Sequence, residues 1–336
     1  MSIRIGLIGA GIMGADHARI FARDLPGAEL RVICDADEAR AKRLADNLGV
    51  KYIASDGEAV IARADIDAIV IASPDFTHAP LSLASIRAGK PALCEKPLSQ
   101  SAKQCLEVVA AEAAIGRRFI QVGFMRRFDQ SYVEMKEARD EGVIGRALMM
   151  HNFHRNVETP ASDFTGAMAI TNSAPHELDV ARFVLDTDYR SITAFQPRRS
   201  DALVAPVVMV LETIDGQLVT IEINNNASYG YDVRGELVGE TGSVSLQSPG
   251  YSRLDAGLKN MGRYDADWRG RFAEAYRRQN AAFLNFVRTR DFPSAASDGW
   301  DGYAAAAIAE AGVRALAEGR KIAVEMAKKP ALYRRA

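Results

Sequence analysis

The 336-residue sequence holds few cysteines: Cys34, Cys94 and Cys105 lie far apart, with no CxxC pair and no Cys/His cluster. Such spacing offers neither a disulfide framework nor a structural zinc site, so buried reduced thiols and no metal are expected. An excess of one charge is also missing. The 42 basic and 43 acidic residues are mixed along the chain and leave a net charge of −1. Nucleic acid or an anionic membrane would need a basic face or tract, so neither is expected as a partner. No uncharged apolar run approaches the roughly 18 residues of a membrane span. The opening MSIRIGLIGAGIMG runs almost at once into a strand and a glycine turn. A secretory leader would need a basic start, a longer apolar run and a small-residue cleavage site. A cytoplasmic location is the expectation. Internal repeats and low-complexity linkers are lacking as well.

What is present is ordinary globular composition, 48% hydrophobic and 25% charged, in a chain long enough for two domains. Residues 3–8 read as a buried strand and 12–24 as the helix after it. Strands at 29–34, 67–72, 91–94 and 118–122 alternate with helices at 37–48, 80–88 and 101–115, the last two ending at Gly89 and Gly116. This alternation means βαβ units and a doubly wound parallel sheet, assigned to residues 1–122. The pattern then changes. A helix at 128–141, a strand at 146–154 and an amphipathic helix at 174–186 precede several strands between 189 and 247. Turns such as Asp215-Gly216 and Glu240-Thr-Gly242 join those strands without intervening helices, which implies an antiparallel sheet. Helices at 267–289 and 300–319 close the chain. The expected fold class is α/β: an N-terminal Rossmann doubly wound parallel sheet with a C-terminal α+β domain on a mostly antiparallel sheet. Residues 123–336 form that second domain, for substrate binding and oligomerisation, with the last helix packing back on the first.

Gly9-x-Gly11-x-x-Gly14 falls where the first strand turns into a helix. Glycine suits a tight turn, a backbone close to a pyrophosphate and close helix–strand packing, and the helix start offers N–H groups to phosphates. By itself the pattern is weak; its position between strand and helix gives it weight. Asp35 ends the second strand about 20 residues on, where a carboxylate holds both ribose hydroxyls and repels a 2′-phosphate. NAD is therefore expected rather than NADP. Asp37 reads as a helix N-cap. Arg40, on the following helix, reads as a solvated helix face rather than a phosphate contact.

Two residues stand out for chemistry. Lys96, in Glu95-Lys96-Pro97, follows a strand at the carboxyl edge of the sheet, where doubly wound folds place ligands. A lysine there can donate to an oxygen that gains negative charge, although taken alone such a residue is more often an inert surface group. His176 follows Pro175, which suits the first turn of a helix, and Asn172 stands four residues earlier. A histidine is a natural base for an alcohol proton at neutral pH, yet a lone histidine is more often a cap or core residue.

Further elements occur in order: Val122-Gly-Phe-Met-Arg-Arg-Phe-Asp129, His154-Arg-Asn156, His176-Glu-Leu-Asp179, Tyr229-Gly-Tyr-Asp232 and Asp298-Gly-Trp-Asp-Gly302. With the glycine turn and Glu95-Lys96-Pro97, the chain resembles the glucose–fructose oxidoreductase/inositol dehydrogenase superfamily, and within it the inositol 2-dehydrogenase branch. The resemblance covers nearly the whole chain. It implies catalytic roles for Lys96 and His176 and binding of a ring polyol by Arg126, His154, Asn156 and Tyr231. It also implies a homotetramer. The inositol branch carries an aspartate four residues before its catalytic histidine; here Asn172 holds that place and is expected to touch the polyol. Cofactor contacts are expected from Gly9, Gly11, Ile12, Met13, Gly14, Asp35, Ser73, His78, Glu95 and Lys96.

The leading expectation is thus NAD-dependent oxidation of one secondary hydroxyl of a cyclic polyol, with myo-inositol going to 2-keto-inositol. Oxidation of a pyranose at C3 is the alternative within the same class. An NAD-dependent glycosidase with transient oxidation, or a non-catalytic NAD-binding sensor, would represent other classes. A sensor has no need of both Lys96 and His176.

Overall fold

The computed structural model describes residues 2–157, 163–200, 203–247 and 254–334. The chain forms two compact units. Met1–Phe128, Glu274–Ala306 and Ala327–Ala336 make the first; Asp129–Ala273 and Ala307–Met326 make the second. A single cut at residue 122 therefore does not describe the chain, which returns twice to its first unit. Apolar packing explains one return: Phe283, on the helix Ala273–Thr289, meets Phe21 edge-on with ring centroids 6.4 Å apart, both rings buried. The other ends on Tyr333, 2% exposed, whose hydroxyl donates to the buried Glu112 carboxylate.

Six parallel strands form the sheet of the first unit: β1 (Ile3–Ile8), β2 (Ala28–Cys34), β3 (Tyr52–Ala54), β4 (Ala68–Ile71), β5 (Ala92–Cys94) and β6 (Ile120–Val122). Their order is β3-β2-β1-β4-β5-β6. The order reverses at β1, so the carboxyl ends of β1 and β4 border the crevice where doubly wound sheets bind ligands. Every residue of β4 is buried, as a central parallel strand covered on both faces requires. Asp37 caps the helix Glu38–Leu48 by accepting from the Arg40 amide at 3.0 Å.

Local departures from the sequence reading have physical causes. The helix expected over 12–24 is α-helical for Ile12–Arg19 and then widens into a π turn at Ile20–Asp24, which carries the adjacent Ile20 and Phe21 both into the core. Strand β3 and the helix Gly57–Ala62 are too short for a periodic signal, and Tyr52 and Ile53 of β3 are exposed.

The second unit holds β7 (Ala147–Arg155), β8 (Tyr189–Phe195), β9 (Val207–Thr213), β10 (Leu218–Asn224), β11 (Asp232–Gly239) and β12 (Ser243–Ser245). A separate hairpin, β13 (Leu254–Ala256) with β14 (Lys259–Met261), and the short β15 (Ile322–Ala323) complete its strands. The seven-stranded sheet runs β12-β11-β7-β10-β9-β8-β15, antiparallel except for the β7–β10 pair. Side chains alternate between its faces, and the covered face takes Met209 and Leu211 of β9 and Val219, Ile221 and Ile223 of β10. On β7 the same alternation buries Met150, Asn152 and His154, so a histidine enters the covered face by register alone. The helix expected over 267–289 is two helices, Trp268–Arg271 and Ala273–Thr289. They break at Phe272, whose buried ring packs edge-on to Tyr231 at 6.3 Å. Among the described residues no helix is long and apolar enough to cross a membrane.

Candidate active site

In the first unit, the site begins with three glycines that answer three different demands. Gly9 has φ +100°, and a Cβ there would stand 2.3 Å from the Ala72 carbonyl oxygen at the end of β4. A Cβ on Gly14 would stand 1.9 Å from the Gly9 carbonyl oxygen. A Cβ on Gly11 would meet no protein atom within 4 Å. Gly9 and Gly14 are thus glycine for folding, whereas the space at Gly11 suits a group that is not protein. No side chain caps the helix that starts after Gly11, and Ile12 is 60% exposed there. These features fit a dinucleotide's pyrophosphate at a helix start.

Asp35 follows β2 directly. Its carboxylate accepts from the Ala10 amide at 2.8 Å and from the Asp37 amide at 2.9 Å. It therefore ties the glycine turn to the end of β2. Arg40 lies 3.4 Å from both Asp35 oxygens and also pairs with Asp37, so the helix face read as solvated covers the Asp35 carboxylate.

The Glu95-Lys96-Pro97 turn at the end of β5 is held from two sides. Glu95 is buried; one oxygen meets His17 Nε2 at 2.8 Å and the other accepts from the Lys96 amide at 3.2 Å. His17 in turn meets the Asn280 side chain through Nδ1. Gly123 makes room for this arrangement, since a Cβ there would lie 2.9 Å from Glu95 Oε1. On the other side His78, 1% exposed, faces the Pro97 carbonyl with Nδ1 at 2.7 Å and the Ser73 carbonyl with Nε2 at 2.8 Å. Lys96 itself is half-buried between the two anchors. The Lys96–Pro97 peptide is cis. Arg126, fully buried, sits in the single turn Met125–Phe128 that follows β6.

The second unit gathers the other residues expected at the site. His154 faces Glu177 Oε2 through Nδ1 at 3.0 Å and Asn156 Oδ1 through Nε2 at 3.3 Å. Its ring centroid lies 6.4 Å from that of His176 and 5.9 Å from that of Tyr231. Period-two alternation puts His154 and Asn156 on the same side of the chain. Pro175 opens the helix Pro175–Leu185, which carries His176, 7% exposed, in its first turn. Just before it runs a five-residue π turn, Ala169–Ser173, that presents Asn172; Asn172 Oδ1 accepts from the Thr171 hydroxyl at 3.0 Å. Such widened turns recur at functional sites.

Tyr231 owes its inward position to the residues around it. The amide of Tyr231 donates to the Asp265 carbonyl at 2.9 Å, and Gly230, at φ +151°, leaves room for Tyr264, whose Cβ would otherwise lie 2.3 Å from a Cβ. Asp232, fully buried, accepts from the Tyr229 hydroxyl at 2.7 Å and from Arg234 Nε at 2.9 Å. The Tyr-Gly-Tyr-Asp element is therefore a built turn with one tyrosine outward and one inward.

The sequence reading assigns no role to His17, Asn280, Gly123 or Glu177, although the last two lie inside the Val122–Asp129 and His176–Asp179 motifs. Glu177 adjoins a candidate residue and a carboxylate in a buried helix needs a partner, which is a usable signal. His17 and Asn280 lie 263 positions apart and leave none.

A glycine turn at the carboxyl edge of a doubly wound sheet, a carboxylate at the end of β2 and a histidine–amide–tyrosine cluster fit one class. The chain belongs to the glucose–fructose oxidoreductase/inositol dehydrogenase (Gfo/Idh/MocA) superfamily and is an NAD-dependent oxidoreductase. Residues 3–124 match the oxidoreductase family with NAD-binding Rossmann fold, and residues 132–245 match the GFO/IDH/MocA C-terminal domain. Among its relatives, inositol 2-dehydrogenase 1 of Saccharopolyspora erythraea is 45% identical over 99% of this chain and 99% of its own. An inositol 2-dehydrogenase of Klebsiella pneumoniae is 40% identical over the full length of both chains. The crystal structure of myo-inositol dehydrogenase from Lactobacillus casei with NAD(H) and myo-inositol superposes with a TM-score of 0.94 at 30% identity, covering 99% of this chain and 100% of the other.

Proposed function

We propose that the protein oxidises the C2 hydroxyl of myo-inositol to the ketone, giving 2-keto-inositol. The observation that carries this reading is the polar cluster of the second unit, the buried His154, Tyr231 and His176 with the half-buried Asn156. A ring with a hydroxyl on every carbon needs such a set of donors and acceptors. Analogues lacking a hydroxyl would leave those buried groups unpaired, which disfavours them strongly. The full-length relatives named inositol 2-dehydrogenase support the same substrate.

In this reading His176 takes the hydroxyl proton, and Lys96 donates a hydrogen bond to the oxygen as it gains charge. Arg126, His154, Asn156, Asn172 and Tyr231 bind and orient the ring. NAD, when bound, supplies the hydride acceptor. The glycine turn with Ile12 and Met13, Asp35, Ser73, Glu95 and Lys96 form or support the cofactor's pocket. We also propose a cytoplasmic homotetramer, for which the exposed apolar residues Leu148, Phe195, Val208 and Leu218 on strands of the seven-stranded sheet speak.

A panel of inositol isomers, pyranoses and glycosides with NAD tests the proposal through NADH formation. We expect the highest kcat/KM with myo-inositol, and loss of about 10²–10⁴-fold in kcat for Lys96→Met and for His176→Ala, with NAD still bound. A best rate with a pyranose, or glycoside turnover without net NADH, would reassign the substrate. Near wild-type turnover in either variant would remove that residue from the chemistry.

A further inference from the structure

We propose that His78 is a positioning residue that works as a clamp protonated at neutral pH, an imidazolium whose two N–H groups fix the Lys96 turn to the loop after β4. The geometry decides the protonation. Carbonyl oxygens carry no proton, so a ring nitrogen 2.7 Å from the Pro97 carbonyl and one 2.8 Å from the Ser73 carbonyl must each be the donor. A neutral imidazole has one N–H and would leave a lone pair facing a carbonyl oxygen inside the protein, where water cannot relieve it. The clamp joins two loops at the carboxyl edge of the sheet, one directly after β4 and the other directly after Lys96. With both nitrogens occupied, the ring has none left for a cofactor, so His78 acts on the cofactor site through the loops it ties.

The surroundings agree with a charged ring. Burial disfavours the cation, but the Cys94 sulfur of β5 and the carbonyls of Pro97 and Ser73 outweigh it and push the imidazole up to about 10. Cys94 is the titratable group that faces the ring. The Glu95 carboxylate is turned to His17, and that of Asp75 accepts from Gln100 at 3.0 Å. Because the folded value lies above the ordinary 6.5, the clamp's contribution to stability is complete below pH 6.5 and is lost as pH rises through about 10.

The kinetic consequence rests on the role proposed for Lys96; the protonation does not. Selective ¹⁵N labelling of the five histidines in the NAD-loaded full-length protein at pH 8 reads the ring nitrogens directly, with His78→Asn identifying the resonances. Two N–H nitrogens on His78 are expected, and one bare nitrogen overturns the clamp. In a folded His78→Asn protein we expect kcat to fall about 10- to 100-fold, the scale of a misplaced catalytic group, with NAD affinity nearly unchanged. Rates within twofold of wild type would overturn the positioning role, as would weaker NAD binding with kcat intact. Lys96→Met separates the two ideas: if it keeps turnover, the reading of Lys96 fails while the nitrogen result stands. If Lys96→Met loses turnover and His78→Asn keeps it, the clamp fails and Lys96 stands.

Discussion

Asn172 is the residue at which this chain leaves the pattern of the inositol branch. It stands on the π turn four residues before His176, and its amide oxygen is engaged by the Thr171 hydroxyl. An amide accepts a hydrogen bond from a hydroxyl but brings no charge to a neighbouring imidazole. Replacing it by aspartate would favour the protonated form of His176 through an added negative charge. Asn172→Asp should therefore move the acidic limb of the kcat/KM–pH profile to higher pH, because a base must lose its proton to act. It should also change the ranking of inositol isomers if the polyol touches this side chain. Parallel profiles and rankings for the two proteins would mean that residue 172 faces neither. Asp35 teaches a different lesson at the same scale. Its carboxylate supports the glycine turn through Ala10 and Asp37, so a substitution there perturbs the turn along with the ribose contact.

At the scale of elements, the glycine turn separates folding from binding. Gly11 has extended backbone and open space around it, so Gly11→Ala should fold as the wild type does, with Tm changed by about 2 °C or less. NAD affinity should fall at least about tenfold, because a methyl group then occupies the space we assign to the pyrophosphate. Gly14→Ala should instead lose stability as well, since its Cβ collides with the Gly9 carbonyl. Calorimetric melting and NAD titration of both variants check the contrast. If Gly11→Ala melts far below wild type or binds NAD normally, the assignment of that space is wrong. Such elements were legible in the sequence because strand, turn and helix each carry a local pattern. The π turns at Ile20–Asp24 and Ala169–Ser173 were not, since their widening follows from which side chains the tertiary structure buries. The break at Phe272 was half legible: Gly270 weakens a helix there, but the packing of Phe272 on Tyr231 is a tertiary contact.

For the whole molecule, parallel sheet, antiparallel sheet and cofactor were readable because each rests on order along the chain. The division into units was not. Ala273–Thr289 and the segment around Tyr333 belong with residues far earlier, through contacts such as Phe21–Phe283 and Glu112–Tyr333 that no local pattern announces. The same holds for the supports of the site. His17 supports Glu95 across 78 positions and is itself held by Asn280 across 263, with no motif to mark either, while Lys96, His176, Glu177 and Tyr231 sat in motifs. The central claim, that hydride leaves C2 of a cyclic polyol for NAD, can be read in one experiment. Incubating the protein with NAD and myo-inositol deuterated at C2 should give NAD²H carrying the label, with 2-keto-inositol free of it. Unlabelled NADH beside a product that keeps its deuterium, or no reduced cofactor at all, would contradict the account.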